Sequence, residues 1–143
     1  METVVVGVDN SDASTRAVEF AVERAQHNDW RVVLVHVIPW TPYSFQTPSE
    51  NEHRHREKAR EVAAATEQIL APMADIAERA GVSHEELVHH GKPSETITDV
   101  AAETGAVHII VGRTGDGGLR EAVFGSVASR LVQHAHLPVT VVP

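Results

Sequence analysis

Two clusters of small residues carry the most suggestive chemistry in the chain. Gly112-Arg113-Thr114-Gly115 follows the apolar run Val107-His108-Ile109-Ile110-Val111, and Gly125-Ser126-Val127 opens a helical pattern after a further nine residues. A glycine lets the main chain approach a ligand closely and take positive φ. A helix start presents N–H groups that have no partner inside the helix, at the positive end of its dipole. The combination is an anion cradle, most simply a phosphate site. Gly115 and Gly125 would allow the approach, Ser126 would offer a hydroxyl and an N–H, and Val127 a second N–H. Thr114 adds a hydroxyl, and Arg113 and Arg120 can add charge-assisted hydrogen bonds. An anion there gains about 0.3–1 kcal/mol from the helix dipole, rising to about 2 kcal/mol when partly buried. The competing account is a surface loop followed by an ordinary helix cap.

Other candidates are weaker. Asp9 closes the first apolar run, Thr3 to Val8, and is either an acceptor for a ligand or the turn residue before a helix, a place where Asp is common. Val37 ends a second run and reads as strand core. His36 points the opposite way along that strand and reads as a packed residue. Ten histidines invite a metal, yet His53 and His55 diverge on a helix, and His84-Glu85 is followed by His89, one residue too late for H-E-x-x-H. Gly91-Lys92 ends like a P-loop, but Pro93 replaces its Ser/Thr and Glu86 stands at its first glycine. Gly115-x-Gly117 is followed by Arg120 where a dinucleotide fingerprint needs glycine. No nucleophile elbow, paired base or water-orienting residue for nucleotide hydrolysis stands out.

The elements that must position these residues alternate. Short continuous apolar runs suit strands buried on both faces. Thr3 to Val8 is the first. A helix follows, with Ala13, Ala17, Phe20, Ala21 and Ala25 on one face, capped by Ser11 or Asp12 and fading at His27-Asn28-Asp29. Arg31 to Ile38 is the second strand, ended by Pro39. The stretch from Pro39 to Ser49 holds three prolines and three of the six aromatics, and reads as a tethered loop or a mobile lid. A helical region runs from Glu50 to Ala80 with Gly81 as its stop, and Pro72 should kink or split it near Leu70. A strand lies within His84 to His90, and Ser94 is a candidate cap for the helix of Ile97, Val100 and Ala101. Val107 to Val111, a helix over Gly125 to His134, and a strand over Val139 to Val142 complete the order. This alternation predicts an α/β fold: a single-domain, open, parallel five-stranded sheet with helices on both faces and right-handed crossovers. Ligands of such sheets sit beyond the strands' C-terminal ends, where strand order reverses. Asp9, Val37-Ile38 and Gly112 all lie at such ends.

The spacing Gly112-x2-Gly115-x9-Gly125-Ser126, with an apolar strand ending at Asp9, resembles the nucleotide-binding signature of the universal stress protein family (UspA-like), in its ATP-binding branch. The resemblance spans essentially the whole chain. It implies a Rossmann-like fold of the adenine nucleotide alpha hydrolase-like type, with ATP as ligand and Mg²⁺ held mostly by the phosphates. It implies Asp9 as acceptor for adenine or ribose, the Val37 main chain on adenine, Gly112 near the ribose, and Gly115, Gly125, Ser126 and Val127 on the phosphates. It also implies a homodimer through Val139 to Val142, a short apolar strand that invites pairing if it lies at a sheet edge. One departure is Asn10, where related sequences often carry glycine; Asn tolerates positive φ, so the turn survives.

Bulk properties narrow the partners. A length of 143 residues with no internal repeat suits one domain over 1–143. Hydrophobic content of 42% with only 4% aromatics means a core of Val, Ala, Ile and Leu. Twenty acidic against twelve basic residues, a net charge of −8, argues against non-specific binding to nucleic acid or an anionic membrane. The absence of cysteine excludes disulfides, thiolate metal sites and cysteine nucleophiles. No apolar run approaches about 18 residues, and METVVVGVD lacks the basic start of a signal peptide, so a soluble, cytoplasmic protein is expected. The expected function is an ATP-binding module of stress response or signalling. The alternatives are a slow ATPase on the same cradle and a scaffold that no longer binds nucleotide. A receiver-type phosphoacceptor using Asp9 or Asp12 fits poorly, because its acceptor ends the third strand, and here that strand ends at His89-His90-Gly91.

Overall fold

With few aromatic rings, the chain packs valine-rich strands against alanine-rich helices. The computed structural model describes residues 1–39, 47–114 and 125–143. Its elements are β1 (Glu2–Gly7), α1 (Asp12–Asn28), β2 (Trp30–Pro39), α2 (Pro48–Ala65), α3 (Ala71–Arg79), β3 (His84–Gly91), α4 (Pro93–Glu103), β4 (His108–Gly112), α5 (Ser126–His134) and β5 (Val139–Val142). The five strands are parallel, in the order β3-β2-β1-β4-β5. The chain builds outward from β1 to β3, then returns to place β4 on the other side of β1. The strand order therefore reverses between β1 and β4.

Side chains alternate across the sheet with period two. Val4, Val6, Val8, Val32, Leu34 and Ile110 face α1 and α3. Val5, Val33, Val35, Val37, Ile109 and Val111 face α4 and α5. Both faces are covered, which is why these strands read as unbroken apolar strings. Each such side chain stabilises the fold by about 1.5–3 kcal/mol relative to exposure. Ala13, Ala17, Ala21 and Ala25 form the buried stripe of α1 and let that helix lie close to the sheet.

Helix ends follow local chemistry. Ser11 caps α1, its Oγ accepting from the Ser14 N–H at 3.1 Å, and Asp29 closes it in the left-handed region at φ 56°. α2 starts at Pro48, ahead of the expected Glu50, because Thr47 and Glu50 form a reciprocal capping box. The lid or loop expected over 39–49 thus falls largely on residues 40–46, outside the described residues. The split expected at Pro72 takes the form of a π-turn over Thr66–Leu70, closed by the Ala71 N–H on the Thr66 carbonyl. Pro72 has no N–H for the Gln68 carbonyl and its ring would press on that group; a wider turn makes room. Ser94 is not a cap. Lys92 holds the N-cap position and Pro93 the first turn, where its fixed φ suits a helix start, so Ser94 falls inside the helix and its carbonyl accepts from Thr98 Oγ1 at 2.9 Å. Among the described residues no helix is long and apolar enough to cross a membrane.

Candidate functional site

β1 leaves the sheet early. Its last register pair with β2 is Gly7–Val35, and Val8 adds one rung, its N–H donating to the Val35 carbonyl at 2.8 Å. In a parallel ladder, alternate residues of a central strand turn their main-chain groups to opposite neighbours. Val35 faces β1; Val32, whose N–H donates to the Ser83 carbonyl at 2.9 Å, faces the β3 side. Val37 is the next residue of β2 to face β1, and β1 has gone. The Val37 N–H and carbonyl look into the gap, while its side chain is 7% exposed among the residues beneath α4. The Val8 carbonyl accepts from His36 Nδ1 at 2.7 Å.

Asp9 lies two residues past the end of β1. Its N–H donates to Ser14 Oγ at 2.9 Å, and its Oδ1 accepts from the Ser11 N–H at 3.0 Å and from Ser11 Oγ. The turn role of Asp9 is therefore built into the contacts, and a ligand role would use the same carboxylate at the same edge of the sheet.

β4 delivers the first glycine cluster. A Cβ on Gly112 would lie 2.8 Å from the Ala13 carbonyl carbon and 2.9 Å from its oxygen. Only glycine fits where the first turn of α1 crosses the end of β4. Two residues on, the Thr114 carbonyl lies 3.4 Å from Ser11 Oγ. Between them Arg113 is a double anchor. Its N–H donates to the Val142 carbonyl at 2.7 Å, and its carbonyl accepts from the Gly125 N–H. Residues 113 and 125 are thus held side by side, although 115–124 lie outside the described residues and Gly115 and Arg120 with them. Gly125 is the N-cap of α5 and makes no side-chain cap. The Ser129 N–H is the first in the helix to reach an α-helical carbonyl, that of Gly125 at 3.0 Å. The N–H groups of Ser126, Val127 and Ala128 are the helix's orphan donors, and they point out of its amino end beside Arg113.

Asp9, Gly112, Arg113, Thr114, Gly125, Ser126 and Val127 are therefore gathered at the β1/β4 reversal. Val37 stands across β1, on the adjacent strand. Sequence reasoning missed two partners: Ala13, which makes Gly112 obligatory, and His36, which serves the Val8 carbonyl. Neither has a signal in composition or spacing, because each depends on where β1 ends relative to its neighbours. Among the described residues no group of three or more His, Asp or Glu could hold a metal ion; His90 lies 3.1 Å from Glu61. His108 sits at the opposite end of β4, its Nε2 2.7 Å from Thr140 Oγ1. Burial holds its pKa below the ordinary histidine value.

An open parallel sheet with an uncapped helix start at its reversal defines a class: doubly wound α/β domains that take ligands at the C-terminal edge of the sheet. Within that class the chain belongs to the universal stress protein family, whose family model matches residues 1–143. A universal stress protein of Methanocaldococcus jannaschii is 31% identical over 140 residues, covering 97% of this chain and 80% of that protein. One of Mycobacterium tuberculosis is 31% identical over 98% of this chain, but this chain spans only 47% of its length. Among solved structures, the universal stress protein UspA from Lactobacillus plantarum superposes with a TM-score of 0.84 at 26% identity, over 99% of this chain and 97% of that one. The universal stress protein from Archaeoglobus fulgidus in complex with dAMP has a TM-score of 0.73 at 29% identity, over 100% and 98%.

Proposed function

We propose that the chain binds an adenine nucleotide across the C-terminal edge of its sheet, with ATP as the ligand, and serves as a nucleotide-dependent module of a stress response. The observation that carries this reading is the bond from the Gly125 N–H to the Arg113 carbonyl. It holds the uncapped first turn of α5 at the end of β4, where a phosphate meets free amides and the positive end of a dipole. In this reading Ser126, Val127, Gly125 and Gly115 take the phosphates, with Arg113 and Thr114 beside them. Gly112 lies against the ribose, and Asp9 accepts from the nucleoside. The Val37 main chain reads the adenine, since one N–H and one carbonyl complement a ring nitrogen beside an amino group. β2 and β4 are two strand spacings apart, about 10 Å, a span that suits a nucleoside. The dAMP complex of the Archaeoglobus relative favours an adenine ligand. Mg²⁺ would travel on the phosphates, which supply most of its ligands.

A thermal-shift series with ATP, ADP, AMP and cyclic AMP tests the reading. Saturation at about 100 times Kd should stabilise the chain by about 2.7 kcal/mol; no shift with any of the four overturns it. Mass spectrometry of small molecules released on denaturation identifies what the protein carries. ADP release over several turnovers would mark a slow ATPase instead of a binder. The proposal includes a homodimer through β5, which is an outer strand of the sheet with all four residues half-buried in the single chain. Light scattering at micromolar concentration should return the dimer mass, and a monomer there would remove this part.

A further inference from the structure

We propose that His36 is a positioning residue for adenine recognition: it donates its Nδ1 proton to the Val8 carbonyl and so keeps the Val37 main chain open to a ligand. The inference rests on the adenine reading above and extends it to a residue with no direct contact to the nucleotide. Val8, one residue past β1, holds the last rung with β2, and it is buried, 5% exposed. Its carbonyl needs a donor. β2 offers two in succession, the His36 side chain and the Val37 N–H. The second would extend the ladder by one rung. The structure uses the first, with Nδ1 at 2.7 Å. A carbonyl has no proton to give, so Nδ1 carries the proton of this bond.

One imidazole therefore does two things. It satisfies a buried carbonyl, and among the described residues it leaves the N–H beside it unclaimed. It acts one residue before Asp9, whose N–H and carboxylate organise the turn into α1, so it also holds that turn in place. Without a donor at position 36 the Val8 carbonyl would be orphaned, which is costly in a buried setting. The cheapest repair is the missing rung: the carbonyl takes the Val37 N–H, β1 stays on the sheet for one more residue, and the gap closes where the adenine edge would be read.

Two variants separate this from a purely structural role. His36→Phe keeps a ring of similar bulk and removes the donor. His36→Asn places an amide N–H near the position of Nδ1. The measurements are ATP affinity by calorimetry and, by NMR, the scalar coupling across a hydrogen bond from the Val37 amide to the Val8 carbonyl carbon. The unsubstituted chain should lack that coupling and show His36 as the Nδ1-protonated tautomer. His36→Phe should gain the coupling and bind ATP at least about tenfold more weakly, and His36→Asn should restore both readings. The proposal is overturned if His36→Phe leaves the Val37 amide unpaired, if His36→Asn loses as much affinity as His36→Phe, or if the native ring carries its proton on Nε2. Should the unsubstituted chain bind no adenine nucleotide, the adenine reading fails, while the Val37 coupling in His36→Phe still decides whether His36 holds the gap open. Should His36→Phe not fold, the tautomer of the native ring and the affinity of His36→Asn decide.

Discussion

Gly112 and Gly125 belong to one motif and flank the same residue, Arg113, yet the structure needs them for different reasons. Gly112 is a packing requirement. The backbone of Ala13 occupies the space its Cβ would take, so the residue is fixed by the approach of α1 to β4 whatever the ligand. Gly125 sits at φ −64° and ψ 158°, a conformation open to any residue. Its contribution is an N–H to the Arg113 carbonyl and the lack of a side chain over the first turn of α5. One glycine serves the fold and the other, in the proposed function, serves the ligand, so a shared motif need not mean a shared role.

Substitutions at the two positions should come apart accordingly. Gly112→Ala should cost about 3 kcal/mol in urea unfolding, at the upper end of overpacking. Ala13→Gly in the same chain should recover little, because the closest contacts are backbone atoms. Ser126→Pro should behave in the opposite way. Proline suits the first helical position, and the extended ψ of Gly125 suits the residue before a proline. Stability should stay within about 1 kcal/mol, while ATP binding measured by calorimetry weakens by about 2 kcal/mol as a charge-assisted amide contact is lost. An unfolding cost as large as that of Gly112→Ala would erase the contrast. Gly125→Ala should cost only about 0.5 kcal/mol of stability, the difference between glycine and alanine at an N-cap.

The smallest effect should come from the far end of β4. Burial lowers the pKa of His108 in the folded chain, so the unfolded chain binds its proton more readily. The His108 contribution is then fully present above the ordinary histidine pKa and is lost as pH falls through it toward the lowered folded value. Urea midpoints between about pH 7 and pH 5 should fall less steeply in His108→Asn. Neither glycine variant should alter that slope.

How much of this was readable beforehand differs from element to element. β1, β2 and β4 were legible because burial on both faces leaves continuous strings such as Val4-Val5-Val6 and Val32-Val33-Leu34-Val35, whereas the outer strand β3, with no fully buried residue, shows only Leu87-Val88 between polar neighbours. Pro72 announced a break in the long helix, and the room its ring needs beside the Gln68 carbonyl is met by a π-turn, a form the proline alone does not distinguish from a kink. The start of α2 was available in the pattern Thr47-x-x-Glu50, and that of α4 in Pro93. At the candidate site the glycine spacing was visible in the chain. The reason for Gly112 was not, because Ala13 lies far away in sequence. The pairing of His36 with Val8 depends on β1 ending short of β2, a fact of the assembled sheet that no local pattern records.

The π-turn has a consequence beyond making room for Pro72. It holds one residue more than an α-turn, so it sets the rotational phase between α3 and α2 by roughly 100°. Below it Met73, Ala74 and Ala77 lie against the sheet; above it only Ala65 of α2 is buried, and Glu61 is aimed at His90 on the outer strand β3. Removing that extra residue would swing the charged rod of Arg56, Lys58 and Arg60 to a new bearing relative to α3, and would bring the Pro72 ring back against the carbonyl four residues before it. In this chain a single helical residue therefore fixes the bearing of an outer charged surface relative to the sheet.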